Sequence, residues 1–253
     1  MKSSSPWSLY SQLRGALAFA WLNGVIAAVR NPLWIAAYLT PPLTLLILFN
    51  ILVAGEMKGY ALAGGFVIIL ATNGLWLTGD AAYYRLYLKW QDMVAAAPVK
   101  PATYMFGLAL SGLFFATPGM LVFVAVMPMQ GLIPSNPLVF ALACILIWSS
   151  STSLGFIISN FFRELREVWP VISILTFALT IIPPVYYPIT ILPDALKLLA
   201  LAIPTSAGSV LLHEALGLYS LSWSMRLSAL IVLVVYSTVL FYWAVKKSRW
   251  RQP

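Results

Sequence analysis

Apolar residues in this chain come in long blocks, not in alternating stripes. Blocks at 33–53, 61–82, 105–127, 138–161, 168–182 and 227–245 carry almost no charge. They predict six transmembrane helices, since a bilayer core asks for about 20 apolar residues per helix. Pro41-Pro42 and Pro118 fall inside the first and third blocks, where neighbouring helices must compensate for lost backbone bonds. The fold class is an all-α integral membrane protein, with residues 1–253 as a single transmembrane domain.

One stretch breaks the pattern. Residues 181–216, IIPPVYYPITILPDALKLLALAIPTSAGSVLLHEAL, are apolar yet cut by Pro183, Pro184, Pro188, Pro193 and Pro204. Two short helices are predicted, one from near Pro193 to just before Pro204, the other from Thr205 or Ser206 to Gly217. Broken backbone at membrane depth survives only where protein or water satisfies its freed groups. The segment 183–217 therefore reads as a re-entrant pair between spans five and six, and as a clue to a transporter.

Residues 7–30 hold a shorter apolar run. Gln12, Asn23 and Arg30 fall on one side of a helix of 3.6 residues per turn. That predicts an interfacial amphipathic helix ending at Asn31-Pro32. The alternative, a short true span, would invert everything downstream. Between spans two and three lies a polar connection, 85–101, in which Asp92 to Ala97 predicts a short helix terminated by Pro98 and Pro101.

Charge sets the orientation. Six spans gather Lys2, Arg14, Arg30, Arg85, Lys89, Lys100, Arg163, Arg166, Lys246, Lys247, Arg249 and Arg251 on one side. The other side holds Lys58, Lys197 and Arg226. Cytoplasmic loops carry the excess of Lys and Arg, so both termini are predicted inside and the proline-rich segment outside. Trp34, Trp90, Trp169 and Trp243 then lie near the inner interface, as aromatic anchors do.

Composition narrows the functions. The chain is 61% hydrophobic and 9% charged, with a mean hydropathy of +0.90, whereas soluble domains are about 25% charged. Little is left outside the bilayer. The net charge of +8 sits in alternate loops instead of a patch, which argues against nucleic acid as a partner. The Ser, Pro and Trp residues after Lys2 do not read as a signal peptide. One Cys and one His exclude an internal disulfide and a His-rich metal site. No Gly-Lys-Ser/Thr triplet occurs, so no P-loop for ATP is present. His213 and Glu214 are adjacent but read as the polar edge of a short helix, not as catalytic groups.

Two polar stripes remain. Asn73, Trp76 and Asp80 in the second block, and Ser173, Thr176 and Thr180 in the fifth, each follow i, i+3, i+7 spacing and share a helix face. Polar groups in a span face the bundle interior or a water-filled path. They are substrate-path candidates, with interhelical hydrogen bonding as the competing reading. Asp80 falls near the inner interface, which argues against a proton relay.

In their order these features resemble the type-2 family of ABC exporter permeases, which serves polysaccharide, drug and lipid export. RNPLWIAAYLTPPLTLLILF resembles the family's entry from a connecting helix into the first span. KWQDMVAAAPVKPATYMFGLALSG resembles its coupling-helix segment, and SLGFIISNFFRELREVWPVISILTF its fourth span, inner loop and fifth span. PPVYYPITILPDALKLLALAIPTSAGSVLLHEAL resembles its outward proline-rich segment and is the most specific of the four. Two departures stand out. Pro183-Pro184-Val185-Tyr186-Tyr187 replaces a small-residue turn, and the charged pair before the coupling helix is reduced to Arg85 and Lys89.

The resemblance implies a permease in the cytoplasmic membrane that pairs with a second copy, forming a homodimer, and with two copies of a separate ATP-binding protein. Asp92, Met93, Val94, Ala95, Ala96, Ala97, Pro98 and Val99 would dock on that ATPase. Spans two and five would line the path, and the re-entrant pair would cap it on the outside, with Pro183, Pro184, Tyr186, Tyr187 and Pro188 as gate candidates. ATP and magnesium would belong to the partner, no cofactor would sit in this chain, and the chain would catalyse no bond chemistry. The rival is an ATP-independent secondary transporter or channel. It would predict broken spans in both halves and buried charge, whereas only the C-terminal half is clearly broken.

Overall fold

Lipid offers the backbone no hydrogen-bond partners, so an apolar chain satisfies its N–H and C=O groups within helices. The computed structural model describes residues 8–52, 55 and 57–247, apart from the side chains of Asn50 and Lys247. It is helical throughout, with no strand among the described residues. The expectations resting on Lys2, Val53, Arg249 and Arg251 lie outside the described residues. In order come α1 (Leu9–Ala20), a π turn (Trp21–Ile26), α2 (Ala27–Arg30), α3 (Leu33–Leu52) and α4 (Met57–Leu86). Then follow α5 (Trp90–Ala96), α6 (Pro101–Met129), α7 (Pro137–Ser159) and α8 (Val168–Thr180). The chain closes with α9 (Asp194–Leu201), α10 (Pro204–Ala215) and α11 (Trp223–Lys247).

Five stretches are long and apolar enough to cross a membrane: Leu9–Arg30, α4, α6, α7 and α11; the bent pair α9–α10 would make a sixth if it were one span. This differs from the blocks read above. The apolar part of α3, Leu33–Phe49, falls short of that length. α8 has only 13 residues, about 20 Å at 1.5 Å per residue. Pro183 and Pro184 stop it early, and unwound chain carries the passage onward to Val185, packed beside Gly64 of α4.

Contacts along the helices fix their directions. Tyr38 stacks on Phe115, and Pro42 lies beside Gly119, so α3 and α6 run together. α4 runs against both, pairing Trp76 with Tyr38, Asn73 with Gly112 and Gly65 with Phe123. α7 follows α4, with Phe140 against Phe66 and Ser151 against Gly74. α11 follows α7, its Ser237 hydroxyl donating to the Leu146 carbonyl and Ala244 packing with Phe156. α8 opposes α4, with Trp169 at Gly79. Thus α3, α4, α6, α7, α8 and α11 alternate in direction through one bundle.

The N-terminal helix departs from expectation. Its polar residues do not form a water-facing stripe. Gln12 is buried with Ala16 and Gly24 against α6, and Ala28 is buried further along, while Leu9, Leu13, Leu17 and Trp21 face outward. Gln12 tolerates burial because backbone partners await it, as described below. The pairings Gln12–Thr103, Ala16–Gly107 and Gly24–Ser111 make this helix run parallel to α6, and so to α3. Asn31-Pro32 therefore offsets the chain without reversing it.

α4 is the central mast, its apolar window 89% buried against 22% for the N-terminal helix and α11. Its closest neighbour is α7, and small residues make that possible. A Cβ on Gly74 would meet the Thr152 nitrogen at 2.5 Å, and one on Gly155 would meet the Gly74 carbonyl at 2.5 Å. The Thr78 hydroxyl donates to the Gly155 carbonyl at 3.0 Å across the same crossing.

α9 and α10 meet at 104°, near the positions predicted for two short helices. α10 starts beside Leu179 and Ile147, midway along α7, and ends with the Ala215 carbonyl accepting from Ser135 just before α7 begins. Every residue of α10 except Glu214 is buried.

Gly155→Val should force α4 and α7 apart at a cost of about 1–3 kcal/mol. Thermal unfolding of the purified chain should show a lowered midpoint. Gly119→Ala, whose Cβ would meet Ile69 at an ordinary 3.5 Å, should leave the midpoint in place.

Candidate functional site

Near the last turns of α4, the helices stand apart around a cavity of about 490 Å³. The α4 face supplies Trp76 and Asp80, two members of the first predicted stripe, one helical turn apart. α3 adds Trp34 and Tyr38, also four apart, α6 adds Phe115, and α8 adds Trp169. Asn23, Tyr83 and Tyr84 complete the aromatic and polar wall. Asp80 is the only formally charged side chain in this lining.

Each wall residue is held from behind. Tyr38 meets Trp76 edge-on at 5.0 Å and stacks with Phe115 at 5.4 Å. The Tyr84 hydroxyl donates to Asn23 Oδ1 at 3.1 Å, and Asn23 Nδ2 donates to the Phe19 carbonyl at 3.1 Å. Asn73, the third member of the stripe, sits one turn deeper. Its amide donates to the Gly112 carbonyl at 2.6 Å, joining α4 to α6, and it lines a small adjoining pocket with Trp76 and Pro42.

The second stripe does not join this wall. Ser173 and Thr180 return their hydroxyls to carbonyls four residues back, Trp169 and Thr176, at 2.9 and 2.6 Å. The Thr176 hydroxyl is buried without a partner. None of the three lines the cavity; Trp169, one turn earlier, does.

Next to the cavity, the connection between α4 and α6 is clamped to the N-terminal helix. Gln12 Nε2 donates to the Pro98 carbonyl at 2.9 Å, while its Oε1 accepts from the Lys100 backbone at 3.0 Å and the Thr103 hydroxyl at 2.6 Å. Trp90 packs on Phe19 and Tyr84 at 5.8 and 5.2 Å. Lys89 takes a left-handed φ of 55° to turn the chain into α5. The resulting helix is two-faced. Gln91, Val94 and Ala95 are buried, while Asp92, Met93, Ala96 and Pro98 are exposed, with Ala97 and Val99 between. Arg85 joins the ends of α4 and α7 by donating to the Ser159 and Phe162 carbonyls at 2.5 and 3.0 Å.

At the opposite end, the proline-rich stretch is a wedge between helices. Pro183, Pro184 and Pro188 are buried. The Pro184 carbonyl accepts from Ser209 of α10 at 2.9 Å. Tyr186 packs on Phe49 of α3 at 4.9 Å, and the Tyr187 hydroxyl donates to the Ile182 carbonyl at 3.2 Å. His213 is fully buried, with Tyr60 edge-on at 5.0 Å and Tyr219 at 6.1 Å. Glu214 turns to the Arg226 guanidinium of α11 and to the Leu221 backbone.

Two features escaped the sequence reading. The Gln12 clamp escaped because a glutamine in an apolar run looks like a solvent-facing residue. The α3 wall escaped because Trp34 read as an interface anchor and Tyr38 was not singled out; their spacing of four, matching Trp76 and Asp80, was the available signal. Among the described residues no group of three His, Cys, Asp or Glu could hold a metal ion. Comparison with protein-family models and with curated proteins finds no match.

Gln12→Leu should leave the Lys100 amide and Pro98 carbonyl without their partner, each loss costing about 1–3 kcal/mol where the group stays buried. Hydrogen exchange should speed up at residues 97–103 while the middle of α4 stays protected. Unchanged exchange there would remove the clamp from the account.

Proposed function

We propose that this chain is the membrane-spanning permease subunit of an ATP-driven ABC exporter. It moves an amphipathic or lipid-linked substrate, such as a glycolipid or polysaccharide, a lipid or a hydrophobic drug, across the cytoplasmic membrane. The observation that carries the reading is α5: a short helix held rigidly between two long apolar helices, with one face buried and the other presented outward. Such a lever transmits a push from a soluble partner because Trp90 at its start packs on Phe19 and Tyr84, and the Pro98 carbonyl just after it accepts from Gln12. In this reading Asp92, Met93, Ala96 and Pro98 meet the nucleotide-binding protein, and Val94 and Ala95 pass the displacement into the bundle.

Other features support the same reading. Six helices alternate in direction, consistent with six spans and both termini on the cytoplasmic side. α10 begins midway along α7 and ends at α7's start, as the inner arm of a re-entrant cap would. The cavity lies toward the end that bears Arg85 and Lys89, the cytoplasmic end by the distribution of positive charge. Cargo would enter there, beside Trp76 and Asp80, and a second copy of the chain would complete the path. Hydrolysis of magnesium-bound ATP would take place in the partner.

The test is co-purification with a nucleotide-binding protein encoded nearby, followed by ATPase assay in lipid. Met93→Glu combined with Ala96→Glu changes only the exposed face of α5. It should weaken the complex about tenfold or more, a loss of roughly 1.4 kcal/mol, and leave the helicity of the chain unchanged. A complex and coupled ATPase indifferent to this change would remove α5 from its role. A chain that transports without any such partner would overturn the reading itself.

A further inference from the structure

The strongest unexplained feature is the carboxylate of Asp80. It lies within the bundle on the wall of the 490 Å³ cavity, and no hydrogen bond or ion pair reaches it from any described residue. A half-buried carboxylate without a partner is costly, and a charged residue in a transmembrane bundle marks a functional site. The Arg85 guanidinium, a little over one turn further along α4, donates to the Ser159 and Phe162 carbonyls. What faces Asp80 instead is aromatic: Trp34, Tyr38, Trp76, Tyr84 and Trp169 share its cavity.

We propose that this cavity is a binding site for an organic cation, an ammonium or guanidinium group carried on an apolar body, with Asp80 as counter-ion and the aromatic rings as walls. The chemistry selects this class. Ring faces attract cations through their quadrupoles, with Trp the best, and a single carboxylate neutralises one charge. A metal ion would need several oxygen or nitrogen ligands, and no acidic or His/Cys cluster supplies them among the described residues. An anion would meet Asp80 head-on. The cavity's 490 Å³ falls within the roughly 300–1,000 Å³ common for small-ligand sites. It has room for an aromatic or alkyl body as well as the charged head. Tyr38 and Asn23, each fixed by a neighbour, hold the shape without a ligand.

The ammonium group has two possible sources, a dissolved cation or the headgroup of phosphatidylethanolamine. Binding itself is a property of this chain's cavity; its use as a cargo port rests on the permease reading. The full chain is therefore tested alone, without an ATPase, in phosphatidylglycerol nanodiscs. Equilibrium dialysis compares benzyltrimethylammonium with its uncharged isostere neopentylbenzene. The cation should bind at least about tenfold more tightly than the isostere. Asp80→Asn should abolish that preference, Asp80→Glu should restore most of it, and Trp76→Leu should weaken cation binding several-fold. Circular dichroism and gel filtration confirm that each variant is folded. Adding phosphatidylethanolamine identifies the source: weaker apparent affinity for the cation points to the lipid headgroup, unchanged affinity to a dissolved ligand. Equal binding of the two isosteres, or undiminished cation binding by folded Asp80→Asn, overturns the proposal. Association with a nucleotide-binding protein would be untouched by that result.

Discussion

The bundle depends on how closely α4 and α7 approach. With Gly74 and Gly155 at the crossing, backbone lies almost on backbone, and Thr78 closes the contact with a hydrogen bond. In a lipid environment apolar side chains gain little from leaving one apolar medium for another, so close packing and small residues drive association. α4 is thereby surrounded on nearly all sides, and the remaining helices are arranged around it. The cavity lies on another face of α4 from this tight packing: there Trp76 meets Tyr38 of α3 and Gly79 meets Trp169, and these bulky rings line open volume.

The two ends of α4 are built differently. At one end α10, Tyr60 and the buried prolines fill the space; there Ser209 bonds to the Pro184 carbonyl and Glu214 pairs with Arg226, while the His213 ring nitrogens and the Ser206 and Tyr186 hydroxyls are buried without a hydrogen-bond partner among the described residues. At the other, Asp80 borders open volume, and a polar clamp built on Gln12 ties the N-terminal helix to α5. The cavity wall and the clamp share Phe19, Tyr84 and Asn23 as go-betweens. Of these, Tyr84 alone links the two directly, packing on Trp90 of α5 and lining the cavity.

Much of this architecture was legible in the sequence. Long apolar blocks foretold α4, α6, α7 and α11, and the prolines from Pro183 to Pro204 foretold the break and the two short helices. The five-residue Ser/Thr run of α7 with Gly155 is of the small-residue kind that permits a close helix contact, but it does not name the partner. Helix length was less legible: α8 stops where Pro183 and Pro184 deny it backbone donors, while hydrophobicity continues past them. Burial direction was the least legible. Within a membrane, apolar residues face outward as readily as inward, so hydrophobicity does not tell which side of the N-terminal helix meets α6. Gln12 resolves the question only once Pro98, Lys100 and Thr103 are seen around it. For the same reason both polar stripes could be placed on a helix face and made path candidates alike, although Trp76 and Asp80 line the cavity and Ser173, Thr176 and Thr180 do not.

The offset at Asn31-Pro32 has a consequence for how such a chain is made. Because the leading helix and α3 travel the same way along α6, the leading helix adds no reversal to the up-and-down count. Every later connection keeps its side whether that helix is long, short or exchanged for another. Insertion of the bundle is thus decoupled from the residues that brace α5. The first helix braces α5 through Phe19 without setting the direction of the helices that follow.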